Sequence, residues 1–318
     1  MCRAAFRYVL ARVRVEPLRG ESFASEGAPQ SAPALRTRSR LADFISLTKP
    51  RLSSEVLFTA AGGMFLAHRS LSWSSWVLTL LGIAGTVGAA NALNCIIERE
   101  SDGFMARTAQ RPLPRQRLSA RAATVFALIL AAVSIPLIAW GSNLLTAGLG
   151  LLALVSYAFV YTPLKSRTHW AMYVGGIPGA LPPLMGWTAA TGAIEPTGLS
   201  LFAVLFVWQL PHFIAIALFR RNEYLAAGLT SVPIACGETR ARWEALVWLV
   251  LLVPVSVLPV FTGFAGRAYV VAAVGLGLWQ LLSAVWTWRL AAPLWGKKVF
   301  VASLVYLTGL FVAVVVST

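Results

Sequence analysis

Charged residues are scarce in this chain of 318 residues, of which 58% are hydrophobic and only 12% are charged. A soluble globular chain carries about 25% charged residues, so a water-soluble domain of this length would lack the polar groups to cover its surface. Acidic residues are rarer still, with 12 Asp and Glu against 27 Lys and Arg. That balance would indicate nucleic acid in a soluble protein, but here we expect a lipid bilayer around the chain and no nucleic-acid partner.

Cysteine is also rare. The three cysteines, Cys2, Cys95 and Cys236, are widely spaced and form no Cys-x-x-Cys pair. Their spacing excludes a disulfide framework and argues against structural zinc. The alternating pattern of a membrane barrel is absent too, and only helices or closed barrels satisfy the backbone in lipid. The spanning elements are therefore expected to be helices.

Long runs without Asp, Glu, Lys or Arg predict where those helices lie. A spanning helix needs about 20 apolar residues, so the long run 122–164 predicts two helices that divide near Gly141-Ser142-Asn143. A further segment, 52–68, tolerates Glu55 near its start. Each remaining run predicts one helix, over 73–97, 168–194, 196–219, 245–266, 268–288 and 299–318. We predict an all-α, polytopic membrane protein whose domain over 42–318 is a bundle of nine transmembrane helices.

The positive charges indicate the orientation. If nine helices alternate in direction, all but two of the Lys and Arg residues fall on one face, and only Arg69 and Arg267 fall on the other. By the positive-inside rule the charged face is cytoplasmic in a bacterium, or faces the matrix in a mitochondrion.

Residues 1–41 are basic and lack a long apolar run. We expect a disordered tail that lies on anionic lipid; the alternative is a mitochondrial transit peptide. Glu16, Glu21 and Glu26 count against the transit peptide, and the excess of Arg over Lys suits a GC-rich bacterial genome. The bacterial inner membrane is therefore expected, with the mitochondrial inner membrane as the alternative.

Three oxygen-bearing side chains follow the second predicted helix. Asn94, Glu98 and Asp102 are spaced i, i+4 and i+8, which predicts that they lie along one helix face. Two carboxylates and an amide oxygen suit Mg²⁺, and the nearby Arg107 and Arg111 suit phosphate. The spacing indicates a metal-diphosphate site at the membrane surface. The alternative, that Glu98 and Asp102 pair with Arg99 and Arg107 in a solvated loop, remains equally open.

A second polar cluster follows the sixth predicted helix and contains Arg220 and Glu223. The alternation of helices places it on the same face as the first cluster, where it would complete a clamp across the bundle. Alone, it would be interpreted as an ordinary positively charged flank.

The run from Asn94 to Asp102, continued by Arg107-Thr108 and Arg111-Pro112, resembles the first acidic motif of the UbiA-type intramembrane prenyltransferases. The resemblance is strongest to the branch that farnesylates heme b. Further matching motifs follow the family's order, namely Leu47-Thr48-Lys49-Pro50-Arg51, Tyr161-Thr162 with Lys165, Gly175-Gly176-Ile177-Pro178-Gly179, Trp208 with Pro211-His212-Phe213, and Arg220 with Glu223-Tyr224. The resemblance is close over residues 44–240 and extends to the last three helices only by hydropathy.

The resemblance implies transfer of a farnesyl group from farnesyl diphosphate to a vinyl group of heme b, giving heme O and diphosphate. It implies Mg²⁺ as cofactor and heme b as substrate, with heme A synthase or the terminal oxidase assembly as partners. The implied roles are metal ligation by Asn94, Glu98 and Asp102, a catalytic carboxylate at Glu223, diphosphate binding by Arg107, Arg111, Lys165 and Arg220, and heme contact by His212 and Trp208.

Two departures from the family pattern bear on these roles. Glu98 stands where Asp is common, which lengthens the arm but keeps the charge. Asn222 stands where an acid is often found, so the second cluster has a single carboxylate.

Two other functions are carried forward. Prenylation of an aromatic quinone precursor keeps the reaction and changes the acceptor, and would not need His212. An ion-coupled transporter would use Glu98 and Asp102 as coupling acids, but such sites usually lie near the membrane midplane, and these acids are predicted at one face.

Overall fold

The computed structural model describes residues 39–263 and 265–317. Within these residues the chain is helical and contains no strand. The predicted basic tail lies outside the described residues except for positions 39–41, and the first helix begins at Arg40.

The described residues form fourteen α-helices. Their bounds are α1 Arg40–Leu47, α2 Pro50–Leu66, α3 Trp73–Ile97, α4 Ala120–Gly141, α5 Leu144–Val155, α6 Thr162–Leu164, α7 Ala171–Thr191, α8 Pro196–Phe219, α9 Arg221–Ala226, α10 Val232–Ala235, α11 Glu238–Ser256, α12 Leu258–Phe261, α13 Arg267–Trp286 and α14 Ala292–Ser317. A 3₁₀ turn over Ser101–Phe104 follows α3, and a π-helical turn over Ser156–Tyr161 joins α5 to α6.

Seven segments among the described residues are long and apolar enough to cross a membrane: Trp73–Ile97, Ala120–Gly141, Leu144–Leu164, Pro196–Phe219, Glu238–Phe261, Arg267–Trp286 and Ala292–Ser317. This confirms an all-helical, multi-span membrane protein. Each of the nine predicted segments contains a helix, but α2 and α7 are outside this set. α2 has only 17 residues and carries Arg51 and Glu55, so the count of nine spans stays a prediction.

Two predicted helix starts were wrong. α11 begins at Glu238 and α14 at Ala292, whereas the uncharged runs began at 245 and 299. The charged residues at these ends continue the helices, since a helix does not have to end where its apolar part ends. Lys297 and Lys298 lie exposed within α14.

α7 is buried along most of its length and packs closely against α2. A Cβ built on Gly63 would lie 2.1 Å from the Pro183 carbonyl oxygen, and one on Gly186 would lie 1.9 Å from that of Ala60. Only glycine permits so close an approach of two backbones, as in other membrane helix pairs. Gly63 and Gly186 therefore allow α2 and α7 to pack closely.

Candidate active site

The three predicted oxygen ligands lie together, although not along one helix. α3 ends at Ile97, so that Glu98 is its C-cap and Asp102 lies in the following 3₁₀ turn. The prediction of a single helix face was wrong because the polar segment Ser101-Asp102-Gly103 leaves the helix. The Asp102 amide still donates to the Glu98 carbonyl at 2.8 Å, which keeps the three residues in sequence-adjacent turns. All three are buried, with exposed fractions of 1%, 9% and 1%.

Each of these side chains binds a cationic group from a different segment. Lys49, which precedes α2, donates to Asn94 Oδ1 at 2.6 Å. Lys165, which follows α6, lies 2.7 Å from Glu98 Oε1. Arg111, in the loop after α3, lies 2.6 Å from Asp102 Oδ2.

The pairing with local arginines, which the sequence left open, is wrong for these acids. Arg99 pairs with Glu100 at 3.4 Å near the surface, and Arg107 lines the cavity next to the acids. The acids of the motif therefore face the cavity, where Glu98 pairs with Lys165 from a distant segment and Asp102 pairs with Arg111 from the following loop.

A polar cavity of about 450 Å³ opens beside the three oxygens. Five cations and three carboxylates line it, namely Lys49, Arg51, Arg107, Arg111 and Lys165 with Glu55, Glu98 and Asp102. Glu55, which lies near the start of α2, thus lines the cavity. The excess of positive charge suits a small polyanion such as diphosphate.

Burial affects the two lysines differently. It lowers the pKa of the Lys49 amine, and Arg111 adds to this effect, as expected for a lysine whose nearest partner is a neutral amide. Burial also disfavours the charged form of Lys165, but Tyr161 and the Glu98 carboxylate outweigh it and raise the pKa of Lys165. Lys165 is therefore held as a cation beside Glu98.

The loop residues at the mouth of the cavity are held by tertiary contacts. Arg117 binds both carboxylate oxygens of buried Asp43 on α1, at 2.9 to 3.2 Å. Met105 packs with Leu229 in a small apolar cluster, and the Thr230 amide donates to the Lys165 carbonyl at 2.8 Å. The loops after α3, α6 and α9 therefore meet at the same end of the bundle.

The second predicted cluster lies near the mouth of the polar cavity, but its two charged side chains pair with each other. Arg220 Nη1 binds Glu223 Oε1 at 2.5 Å, and neither residue is among those that line the polar cavity. Their neighbour Tyr224 does line it. One oxygen of Glu223 is buried and has no hydrogen-bond partner among the described residues.

The proposed heme-side pair lies on another face of α8. His212 Nδ1 lies 2.7 Å from Ser303 Oγ on α14, and Trp208 Nε1 donates to the Ser303 carbonyl at 2.8 Å. The two rings stack with centroids 4.8 Å apart. Neither residue is among those that line the polar cavity or the apolar cavity next to it, whereas Phe213 lines the latter. Heme contact by His212 and Trp208 stays a prediction.

The apolar cavity measures about 280 Å³ and shares Leu52 and Tyr157 with the polar one. Along α3 its lining extends from Asn91 to Ile83. Ile83 lies eleven residues before Asn94, which corresponds to about 16 Å along the helix at 1.5 Å per residue. Along α7 it extends from Gly175 to Met185. Ile83 and Met185 belong to one buried cluster, and together they form the far end of a narrow space that begins at the acids.

Several residues that line these cavities were not predicted as site residues. Lys49, Tyr157 and Tyr224 line the polar cavity, and Tyr161 lines the apolar one. Lys49, Tyr161 and Tyr224 stand within motifs of the resemblance, which was the available signal. Tyr157 lies in the π-helical turn, and such turns occur often at functional sites.

The donor set is compatible with Mg²⁺, although it is sparse. Asp102 Oδ1 is buried without a hydrogen-bond partner, as a reserved coordination position would be. The described residues contain no group of three His, Cys, Asp or Glu residues that would hold a metal alone. Mg²⁺ usually binds one or two carboxylates and completes its shell with waters and substrate phosphates, so an amide, two carboxylates and a diphosphate suffice.

Comparison with known sequences identifies relatives over most of the chain. The UbiA prenyltransferase family matches residues 56–314. A protoheme IX farnesyltransferase of Myxococcus xanthus (strain DK1622) is 57% identical over 85% of this chain and 92% of its own. One of Anaeromyxobacter dehalogenans (strain 2CP-C) is 45% identical over 87% of this chain and 94% of its own.

Solved structures show the same fold at low sequence identity. A digeranylgeranylglyceryl phosphate synthase superposes with a TM-score of 0.75 at 16% identity, over 87% of this chain and 98% of that one. The UbiA homolog from Archaeoglobus fulgidus bound to DMAPP and Mg²⁺ superposes with a TM-score of 0.64 at 18% identity, over 86% and 99%. The chain belongs to the UbiA prenyltransferase family.

Proposed function

We propose that the protein transfers the farnesyl group of farnesyl diphosphate to a vinyl group of heme b, giving heme O and diphosphate. The observation that carries this proposal is the 57% identity to a protoheme IX farnesyltransferase over 92% of that relative's length. The paired cavities agree with it, since a polar space for a diphosphate opens directly into an apolar space for a prenyl chain.

In this proposal Asn94, Glu98 and Asp102 would hold Mg²⁺ at the polar cavity. The metal would supply positive charge for the diphosphate oxygens, as in the A. fulgidus homolog that binds DMAPP and Mg²⁺. Arg107, Arg111 and Lys165 bind the diphosphate from the walls of the same cavity. Arg220, at the end of α8, and Glu223, in α9, stay predicted site residues, although neither lines the polar cavity.

The chain's own residues then assist loss of the diphosphate. Cations that surround the leaving group stabilise the negative charge that develops on it. The remaining allylic cation lies where the two cavities adjoin, close to Tyr157, which lines both, and Tyr161, which lines the apolar one; aromatic rings attract positive charge. The apolar walls keep bulk water away from it.

The acceptor step forms one carbon–carbon bond and adds one water. The terminal vinyl carbon of heme b bonds to the first carbon of the farnesyl group, and the other vinyl carbon takes a hydroxyl from water, which releases a proton. The heme-side roles of His212 and Trp208 rest on the sequence resemblance. Their hydrogen bonds to Ser303 would have to be kept or exchanged when heme is bound.

The proposed location is the bacterial inner membrane, with the active face in the cytoplasm. Almost all Lys and Arg residues fall on the side that holds the polar cavity if the helices alternate, as the positive-inside rule requires. Cooperation with heme A synthase or with oxidase assembly stays a prediction.

The proposed function is tested by offering two acceptors to one membrane preparation. Membranes that contain the full chain receive farnesyl diphosphate, Mg²⁺ and either heme b or 4-hydroxybenzoate, and products are identified by mass. We expect a hydroxyethylfarnesyl heme from the first mixture and no prenylated phenol from the second. Membranes with the Glu98→Gln variant serve as the control. Product from the phenol alone would show that the acceptor is a quinone precursor and the assigned substrate is wrong.

A further inference from the structure

Lys49 differs from the other cations of the polar cavity in its backbone. Its φ of 49° and ψ of 64° lie in the left-handed region, which residues with a Cβ rarely adopt. Its carbonyl accepts from the amides of Leu52 and Ser53 at 2.9 and 3.0 Å, which starts α2. Strained residues of this kind concentrate at functional sites, and here the strained residue lines the polar cavity.

The partner of Lys49 has a fixed orientation. The hydroxyl of Thr162 donates to the Tyr157 carbonyl at 2.8 Å, so it accepts from Asn94 Nδ2 at 3.0 Å. The nitrogen of the Asn94 amide is thereby committed to Thr162, and the oxygen faces Lys49 and the cavity. The ammonium of Lys49 lies 2.6 Å from this oxygen, which is the atom that would bind the metal.

Lys49 also lacks a charged partner. Lys165 and Arg111 each bind a carboxylate, but no carboxylate among the described residues forms an ion pair with Lys49. An ammonium held only by a neutral amide releases it more readily than one held by a carboxylate. Of the three cations around the acids, Lys49 is therefore the one best placed to exchange its partner.

We propose that Lys49 is a donor-binding residue that holds Asn94 before the metal is bound and moves to the diphosphate when metal and donor enter. The inference rests on the proposed function of the cavity. A divalent cation on the Asn94 oxygen would repel the ammonium beside it, while the diphosphate supplies the anionic partner that Lys49 lacks. Lys49 therefore weakens binding of the metal when no donor is present, and it strengthens binding of the donor.

This dual role predicts that replacing Lys49 changes the affinities for metal and donor in opposite directions, which a purely structural role does not predict. We expect Lys49→Gln, which keeps a hydrogen-bond donor but removes the charge, to tighten binding of Mg²⁺ alone by about threefold or more, because a competing like charge is gone. The same variant should weaken binding of farnesyl thiolodiphosphate, an unreactive donor analogue, by about tenfold or more. Lys49→Arg should retain donor binding. Lys298→Gln, an exposed lysine on α14, is the matched control and should change neither.

Both affinities are measured by isothermal titration calorimetry on the purified full chain, first with MgCl₂ alone and then with the analogue at saturating Mg²⁺. If Lys49→Gln weakens both ligands, or changes neither, the inference is wrong. If Lys49→Gln does not fold, loss of donor binding by Lys49→Arg would itself contradict a role for the charge. Failure of the wild type to bind the analogue would instead count against the proposed function.

Discussion

The far end of the apolar cavity should determine the length of the prenyl chain. Ile83 and Met185 are buried, with exposed fractions of 0% and 3%, and close the cavity about 16 Å beyond Asn94 at the helical rise of 1.5 Å per residue. An extended farnesyl chain is roughly 14 Å long, since its eleven main-chain carbon–carbon bonds of about 1.5 Å each advance about 1.3 Å along the chain. The cavity therefore has room for farnesyl but not for one more isoprene unit.

Alanine at both positions would provide that room. Each substitution removes three heavy atoms, so the two together remove six, about the size of the five-carbon isoprene unit. Burying those carbons would stabilise a longer donor by at most about 4 kcal/mol, at about 0.8 kcal/mol for each carbon. Partial collapse of the cavity reduces this gain. We expect the preference for geranylgeranyl over farnesyl diphosphate, as a ratio of kcat/KM values, to rise by about tenfold or more.

The assay supplies both donors in equal amounts to membranes with heme b and Mg²⁺, and compares the two products by mass. Because large-to-small substitutions cost about 2–5 kcal/mol of stability each, Ile83→Ala and Met185→Ala are assayed singly as well as together. Leu52→Ala, at the mouth shared by both cavities, is the control and should leave the ratio unchanged. An unchanged ratio in all the variants, with farnesyl transfer intact, would show that these residues do not limit chain length.

Three further outcomes are expected. Glu98→Gln should lower turnover by about 100-fold or more with normal yield in membranes, because it removes ligand charge at nearly constant shape; full activity of the purified variant would refute the metal assignment. Gly186→Ala should lower the free energy of unfolding by about 1–3 kcal/mol. The control Gly275→Ala, with no atom within 4 Å of its added Cβ, should be neutral or stabilising by up to about 1 kcal/mol. Thermal melting of both variants in one detergent compares them, and equal effects would contradict the close α2–α7 contact. In a chain whose native cysteines are replaced, Arg240→Cys should react with an impermeant thiol reagent from the cytoplasmic side and Ser72→Cys from the other side; labelling of both from one side would overturn the alternation of helices.

Much of the fold was predictable because the bilayer imposes a local rule. A segment without charges must satisfy its backbone internally in lipid, and each uncharged run contains a helix in the structure. The exceptions in detail have local causes as well. α7 is buried among other helices, so it need not be as apolar as a lipid-facing span. α11 and α14 begin earlier than their uncharged runs because their first two turns contain charged residues.

The partners of Asn94 and Glu98 were not predictable in the same way, although Asp102 binds the nearby Arg111. Lys49 lies 45 residues from Asn94, and Lys165 lies 67 residues from Glu98, whereas the sequence offered Arg99 and Arg107 nearby. A helix that continued past Ile97 would have kept those local arginines within reach. The helix ends there instead, and the turn that follows points the acids toward segments whose proximity only the assembled bundle determines.

The direction in which each side chain of α8 points was also not predictable from the sequence. His212 and Phe213 are adjacent and point about 100° apart, as the helical period requires. Because α8 is buried on several sides, apolar side chains surround it and their periodicity does not mark one face as the core. The sequence therefore placed this segment beside the predicted site but could not predict which of two neighbouring side chains lines the cavity. Packing against Ser303 turns His212 toward α14 and leaves Phe213 to line the cavity, so the orientation of this helix is a property of its neighbours and not of its own sequence.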